Sequence, residues 1–312
     1  MSFLGFESLK SEPGPLHLAI GIFDGVHLGH QAILKQAAET AAEDGGKAVA
    51  LTFWPHPSGV LCPEKPVPML IGRTLRERFL RESGACAVAY IEFTPEFASM
   101  EAQAFPAFVK KAMPSLKTIS VGEGFRFGRG RAGDANLLCI EGAKVGLDVR
   151  PVVRVDMGGH PISSTRIREN VSAGEIAQAN RLLGRPYTAE GRIVSGDGLG
   201  RKIGVPTFNL DWSPDLNPRL GVYAVRSGFP GFSDKPFAGV ANYGSRPTVA
   251  GECAEPRLEV HLLGDPPPSP VERMEVAFHE FIRPEMKFDS LEELAKRIEK
   301  DVEIARKLLV DS

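Results

Sequence analysis

The stretch LHLAIGIFDGVHLGHQAILKQAA, residues 16–38, decides how the first half of the chain folds. Its first five residues form a short apolar run with a β-branched end, and residues 31–38 have helical composition and spacing. A glycine-containing turn joins the two. The stretch therefore predicts a buried strand, a loop and a helix.

The turn between this strand and helix has the features of a phosphate-binding loop. Glycines at 21, 25 and 29 let phosphate oxygens approach backbone amides, and the helix N-terminus adds partial positive charge. His27 and His30 can donate hydrogen bonds to phosphates as charge develops during transfer. A lone histidine here would favour a capping or core role, but the pairing with the glycines favours an ATP site. We predict that His27 and His30 are catalytic and that ATP is bound by Gly21, Phe23, Asp24 and Gly29.

The rest of the chain has two different patterns of predicted secondary structure. Up to about residue 185, apolar strands alternate with amphipathic helices, which predicts a doubly wound parallel sheet with ligands at the carboxyl ends of its strands. Beyond it, short β-type segments separated by Gly and Pro predict a small antiparallel barrel. A terminal helix follows, with Ser290 and Glu293 as a capping box. We therefore predict an α/β domain over 1–185 and a barrel domain over 186–312.

Composition restricts the partners. Thirty-seven basic and 39 acidic residues give a net charge of −2, which favours neither a nucleic acid nor a membrane surface as partner. The four cysteines are far apart, so we expect buried free thiols rather than a zinc or redox site. No apolar run approaches the roughly 18–20 residues of a membrane span. We expect a cytoplasmic protein with small-molecule substrates, either monomeric or a weak homo-oligomer.

A second polar cluster lies at Ser163-Ser164-Thr165-Arg166-Ile167-Arg168. Three hydroxyls at a helix start, followed by two arginines, make a good anion cradle, although a plain N-cap is the alternative for either serine. We predict catalytic roles for Ser164 and Arg168. ATP contacts are predicted for Ser163, Thr165 and Arg166.

The barrel half carries a glycine-rich loop, GDGLGRKIGVPTFN, residues 196–209. Such a loop can wrap phosphates with backbone amides, although a bare hairpin is the alternative when it stands alone. Thr207 and Asn209 alternate with Phe208, so their polar side chains share one side of an extended segment and could hold a hydrated Mg²⁺.

The paired histidines and the hydroxyl cluster together resemble the nucleotidyltransferase superfamily of adenylyltransferases and class I aminoacyl-tRNA synthetases. Residues 51–57 (LTFWPHP) and 121–128 (VGEGFRFG) look like the FAD synthetase module of bacterial bifunctional riboflavin kinase/FAD synthetases. This resemblance implies adenylylation of FMN and an FMN site at Phe53, Pro55, His56, Pro57, Phe125 and Phe127. The two phenylalanines near residue 126 could instead face a core.

This sequence departs from the family pattern of the FAD synthetase module at two positions. Trp54 stands where an acidic residue is common, and Gly124 stands where Asp or Asn is common beside the flavin phosphate. The missing polar group at Gly124 puts the efficiency of adenylylation in question.

The loop at 196–209 resembles the Gly-x-Pro-Thr-Ala-Asn signature of riboflavin kinases, with Phe208 in place of Ala. The resemblance implies that Glu259 is the base for the ribityl hydroxyl. It also implies an ATP site at Gly196, Gly200, Arg201, Lys202, Gly204, Pro206 and Asn242. The proline-rich stretch 266–270 replaces a turn usual in the family.

We interpret the chain as a transferase with two activities. The barrel phosphorylates riboflavin to FMN, and the α/β domain transfers AMP from ATP to FMN to make FAD and pyrophosphate, with Mg²⁺ at both sites. Two alternatives stay open. One is an adenylyltransferase for a different nucleotide-like substrate, and the other is a flavin- or nucleotide-binding regulator with reduced turnover.

Overall fold

A computed structural model describes residues 4–5, 9–10, 13–196, 204–232, 235–244, 256–264 and 271–310. The chain divides into two compact units, residues 1–164 and 165–312. Among the helices of the described residues, none combines the length and the apolar character that crossing a membrane requires.

The first unit is built on parallel strands. Its strands are β1 (Leu4–Gly5), β2 (Leu16–Ile20), β3 (Lys47–Trp54), β4 (Ala87–Glu92), β5 (Leu116–Gly122), β6 (Arg126–Phe127), β7 (Gly133–Asp134), β8 (Asp148–Val152), β9 (Asp156–Met157) and β10 (His160–Pro161). Six of them form one sheet in the order β1-β4-β3-β2-β5-β8, and every pair in it is parallel. Two short antiparallel ribbons, β6 with β7 and β9 with β10, lie outside this sheet.

Helices connect these strands. They are α1 (Leu28–Asp44), α2 (Pro57–Leu61), α3 (Arg73–Glu82), α4 (Pro95–Ala98), α5 (Phe105–Ala112) and α6 (Ala135–Lys144). All five residues of β2 are buried, as a central strand covered on both faces requires. From β2 the chain passes to β3 on one side, while β5 lies on the other. Strand order therefore reverses between β2 and β5, and a crevice is expected at their carboxyl ends.

The second unit is a barrel with helices. Helices α7 (Ser164–Ala173) and α8 (Ile176–Leu183) precede the strands β11 (Tyr187–Val194), β12 (Phe208–Asp211), β13 (Gly221–Gly228), β14 (Phe237–Gly244), β15 (Arg257–Leu262) and β16 (Arg273–Arg283), and α9 (Leu291–Val310) follows them. The barrel closes in the order β11-β12-β15-β14-β13-β16. Buried aromatic rings of Tyr187, Tyr223 and Phe278 pack within it, and Ala305 and Leu309 of α9 pack on a separate cluster with Val222 and Val240.

The predicted fold class is confirmed. In the capping box of α9, Ser290 Oγ accepts the N–H of Glu293 at 3.2 Å, while the Glu293 carboxylate accepts the N–H of Asp289 at 3.3 Å.

The prediction of buried thiols is wrong for the described cysteines. Cys62 and Cys86 are exposed and Cys139 is partly buried, although all three are free. Cys253 lies outside the described residues.

Candidate active sites

The loop after β2 has a strained backbone. Phe23 and Val26 have φ angles of 54° and 43°, in the left-handed region that β-branched residues such as valine rarely adopt. Side chains from elsewhere hold the loop: Thr52 Oγ1 donates to the carbonyl of Ile22 at 3.0 Å, and Gln31 Nε2 donates to that of Val26 at 2.9 Å. Strain of this kind is concentrated at functional sites.

The two predicted catalytic histidines are in contact. His27 is the N-cap of α1, and its Nδ1 accepts the backbone N–H of His30 at 3.3 Å. The two rings stack, with centroids 3.6 Å apart and planes at 16°. Because Nδ1 is the acceptor, the neutral His27 ring carries its proton on Nε2. Phe23, fully buried, packs edge-on against His30 with centroids 5.3 Å apart.

Asp24 links this loop to two other segments. Its buried carboxylate accepts the N–H of Leu70 at 2.9 Å, and its carbonyl accepts the hydroxyl of Ser164 at 3.0 Å. Ser164, predicted from the second cluster, is therefore brought to the loop of His27. Thr165, Arg166 and Arg168 follow on α7 and fall in the second unit.

The residues predicted to bind flavin lie at the carboxyl ends of β3 and β5. Phe125 and Phe127 stack with centroids 5.5 Å apart, and Phe127 also packs on Phe105 at 5.3 Å. Phe127 is buried in the core of the unit whereas Phe125 is partly exposed, so only Phe125 offers a ring face near the surface. Phe53 is buried and contacts Phe93 and Phe97, each at 6.0 Å.

His56 and Pro57 begin a short helix. His56 is the N-cap of α2, where its Nδ1 accepts the N–H of Ser58 at 3.1 Å, and Pro57 follows at the first position. Pro55 is joined to Trp54 by a cis peptide bond.

Cationic and aromatic side chains stack beside Trp54, which is 44% exposed. The Arg73 guanidinium lies 4.5 Å from the ring centroid of Tyr90, and those of Arg73 and Arg76 each lie 5.7 Å from that of Trp54. Burial raises the pKa of the Tyr90 hydroxyl, and the positive charge of Arg76 partly offsets that effect. The aromatic residue at position 54 thus has cation–π partners of its own.

In the barrel, three predicted residues from separate strands form one row. Asn209 on β12 and Asn242 on β14 are both register partners of Glu259 on β15. Residues directly opposite in antiparallel strands present their side chains on the same face. Asn209 is buried, and its Oδ1 accepts no hydrogen bond within the part of the chain that the structure describes. A buried oxygen acceptor next to a carboxylate fits a hard cation such as Mg²⁺.

The remaining kinase residues are placed in part. Pro206 O lies 2.9 Å from Nδ1 of His261, and Gly196 lies so close to Asn209 that a Cβ at Gly196 would collide with the Asn209 amide. Gly204 is an exposed turn residue, and Thr207 immediately precedes β12. Gly200, Arg201 and Lys202 lie outside the described residues. The described chain has no cluster of three or more His, Cys, Asp or Glu suited to a metal.

In comparison with known proteins, the two halves match separate family models, and one relative covers both halves. The FAD synthetase model matches residues 9–166 and the riboflavin kinase model matches residues 183–309. The chain is 38% identical to the bifunctional riboflavin kinase/FMN adenylyltransferase of Escherichia coli (strain K12), over 93% of this chain and 91% of that protein. The chain belongs to this family.

Other relatives agree over the whole length. The bifunctional riboflavin kinase/FMN adenylyltransferase of Pseudomonas fluorescens is 35% identical over 99% of this chain and 97% of its own. A crystal structure from Streptococcus pneumoniae, described as a macrolide-efflux protein, matches with a TM-score of 0.86 and 30% identity, covering 98% of this chain and 99% of that one. The likeness to these proteins therefore extends over both units.

The structure also identifies residues of the FAD synthetase half that sequence reasoning missed. Thr52 and Gln31 hold the histidine loop, and Leu70 supplies the N–H for Asp24. Thr52 could have been identified in the sequence as a lone hydroxyl inside an apolar strand. Gln31 could have been identified as a polar residue that directly follows His30. Nothing in the sequence pointed to Leu70, because its backbone makes the contact.

Proposed function

We propose that the chain makes FAD from riboflavin in two ATP-dependent steps, one in each half. The barrel half phosphorylates riboflavin to FMN, and the parallel-sheet half adenylylates FMN with release of pyrophosphate. The observation that carries the proposal is that separate family models, riboflavin kinase and FAD synthetase, match residues 183–309 and 9–166. Each half also has the polar groups that its step needs. We expect small-molecule substrates, a cytoplasmic location and a monomer or weak homo-oligomer.

Adenylylation needs positioning and charge stabilisation more than covalent chemistry. In the proposed reaction an FMN phosphate oxygen attacks the α-phosphorus of ATP, and pyrophosphate leaves with the bonding electrons. The amides at the start of α1 face the phosphates with the positive end of the helix dipole. His27, with its proton on Nε2, and the stacked His30 donate to the oxygens where charge grows. Ser164, held at the same loop, completes the polar set.

Phosphorylation needs a base and a place for the triphosphate. Glu259 takes the proton of the ribityl hydroxyl as that oxygen attacks the γ-phosphorus of ATP, and ADP leaves. Asn209 and Thr207 would hold Mg²⁺, which neutralises phosphate charge when bound. Support for this comes from the buried Oδ1 of Asn209 and its register partner Glu259.

The division of labour is tested by one assay on two variants. The protein is incubated with riboflavin, ATP and Mg²⁺, and the flavins are separated by chromatography. We expect His30→Ala to abolish FAD formation while FMN still accumulates. Glu259→Ala should block FMN formation while supplied FMN is still converted to FAD. Equal loss of both activities in each variant would refute the assignment of one activity to each half. If the wild-type reaction produced neither FMN nor FAD, the proposed enzymatic function would be refuted.

A further inference from the structure

Arg154 lies at the carboxyl edge of the parallel sheet, two residues beyond the end of β8. Two hydrogen bonds join this segment to the one that follows β5. The N–H of Glu123 donates to the carbonyl of Val152 at 3.0 Å, and the N–H of Arg154 donates to the Glu123 carboxylate at 3.3 Å. The backbone of Arg154 is therefore fixed beside residues 123 and 124.

The guanidinium of Arg154 occupies the space that a side chain at position 124 would take. A Cβ on Gly124 would lie 2.6 Å from Nη2 of Arg154 and 3.5 Å from its Cζ and Nε. Any larger residue at position 124 would displace the guanidinium. Because Gly124 has no side chain, the Arg154 guanidinium, from the segment that follows β8, can occupy this space.

The side chain of Arg154 differs in its partners from those of three other arginines in the same unit. Arg126 pairs with Asp134 at 3.2 Å, Arg129 with Glu101 at 2.6 Å and Arg150 with Asp148 at 2.8 Å. The Arg154 guanidinium makes no hydrogen bond or ion pair with any residue that the structure describes. The Glu123 carboxylate accepts the backbone N–H of Arg154.

The position of Arg154 separates it from the predicted ATP contacts. Strand β5 lies between β2, which leads into the histidine loop, and β8, which leads to Arg154. Helix α1 packs against the end of β5, since a Cβ on Gly122 would lie 3.4 Å from Cδ1 of Ile33. The N–H of Phe125 donates to the carbonyl of Gly122 at 2.8 Å, so the partly exposed aromatic ring begins directly after Gly124. Arg154 therefore lies across β5 from the histidine loop, beside Gly124, which directly precedes Phe125, one of the residues predicted to bind flavin.

We propose that Arg154 binds the phosphate of FMN and orients it toward the α-phosphorus of ATP. This inference rests on the proposed function of the FAD synthetase half. A phosphate monoester carries a charge of about −1.5 to −2 near neutral pH, and a guanidinium can bind two of its oxygens at once. Bringing FMN and ATP together places two polyanions in contact, and a cation beside them lowers the repulsion between their charges. Arg154 keeps its proton throughout and takes no part in bond making.

The test compares Michaelis constants in the full-length protein. FAD formation is followed by chromatography as FMN is varied at saturating ATP and Mg²⁺, and as ATP is varied at saturating FMN. We expect Arg154→Gln to raise the KM for FMN about tenfold or more, as loss of a charged hydrogen-bond partner does, with the KM for ATP changed less than about twofold. Arg154→Lys should fall between, because an ammonium keeps the charge but loses the planar fork.

Two controls accompany the variants. Riboflavin phosphorylation in the same preparations should be unchanged, which controls for the kinase half, and the unchanged KM for ATP in FAD formation controls for the fold of the half that contains Arg154. Arg150→Gln removes a guanidinium from β8, the strand that leads to Arg154. Because the Arg150 guanidinium is already paired with Asp148 and donates to Thr40 Oγ1, this variant should leave the KM for FMN unchanged.

The possible outcomes separate the inference from the proposed function. An unchanged KM for FMN in Arg154→Gln, with FAD still made by the wild type, overturns the inference alone. An equal rise in the KM for ATP also overturns it, because Arg154 would then serve the triphosphate. A wild-type protein that makes no FAD overturns the proposed function and this inference with it.

Discussion

At position 29 a side chain larger than hydrogen would press on the ring of His27. A Cβ on Gly29 would lie 3.2 Å from both Cε1 and Nδ1 of that ring. The same Nδ1 accepts the N–H of His30, and the two imidazoles stack at 3.6 Å. Glycine is therefore needed here for close packing of side chains rather than for an unusual backbone angle.

We predict that Gly29→Ala slows FAD formation about tenfold or more, because small displacements of catalytic groups have large effects on rate. FMN formation from riboflavin should be unchanged. The matched control is Gly72→Ala, since a Cβ on Gly72 has no other heavy atom within 4 Å. Wild-type rates of FAD formation in Gly29→Ala would contradict a role for the stacked pair.

The buried oxygen of Asn209 leads to a prediction for the kinase half. Asn209→Ala should reduce FMN formation at least tenfold, while Asn209→Asp should keep activity with an altered Mg²⁺ concentration for half-maximal rate, because it retains an oxygen donor. Supplied FMN should still be converted to FAD by both variants. Asp211→Asn is the control, since Asp211 is an exposed carboxylate on the same strand. Equal Mg²⁺ dependence in all of these proteins would exclude Asn209 as a ligand.

What the sequence predicts about single residues depends on their spacing along the chain. His27 and His30 are three residues apart, so the sequence alone predicts that they act as a pair. Asn209, Glu259 and Asn242 come from three strands, and their shared row depends on a register that only the paired barrel defines. The guanidinium of Arg154 beside Gly124 likewise follows from the adjacency of β5 and β8, which no local pattern contains.

At the scale of elements, one buried ion pair fixes α9 to the barrel. Arg283 Nε and Nη2 both donate to the Asp301 carboxylate, with Nη2 to Oδ2 at 2.8 Å, and the two side chains are 9% and 1% exposed. These contacts give Arg283 a structural role. The pair joins the end of β16 to the middle of the terminal helix.

Breaking this pair should destabilise the barrel unit. We predict that Asp301→Ala lowers the free energy of unfolding by about 3–5 kcal/mol, because a buried guanidinium loses its partner. The double variant Arg283→Met/Asp301→Leu should lose much less, since it buries no charge. Arg297→Ala, which removes a partly exposed second partner of Asp301, should cost about 0–1 kcal/mol. Urea unfolding measures all three, and a loss below about 1 kcal/mol in Asp301→Ala would show that the pair contributes little.

Elements differ in how well their sequence predicts them. The strand predicted at 16–20 has the bounds of β2. The ribbons β6 with β7 and β9 with β10 have strands of two residues each. Two residues contain no period of alternation, so these ribbons could be found only from tertiary pairing.

At the scale of the whole molecule, the predicted order of a parallel-sheet half followed by a barrel half is confirmed. The position of the domain boundary between them stays a prediction. The sequence texture changes near residue 185, but the second compact unit begins at Thr165. The two positions differ because α8 is a helix, with no β-type sequence pattern, yet packs against the barrel strands β11 and β16. Asn180 donates to the carbonyl of Phe278 at 2.8 Å and accepts the N–H of Tyr187 at 2.7 Å, and Leu182 is fully buried.

Fragments of the chain distinguish the two boundaries. A fragment of residues 165–312 retains α8, so it should unfold in one cooperative transition and phosphorylate riboflavin. A fragment of residues 186–312 loses both hydrogen bonds of Asn180 and exposes the parts of β11 and β16 against which α8 packs. Its urea midpoint should therefore be markedly lower, or the fragment should be insoluble. Equal midpoints and equal kinase rates would place the functional boundary at 185/186 and make α8 dispensable for the barrel.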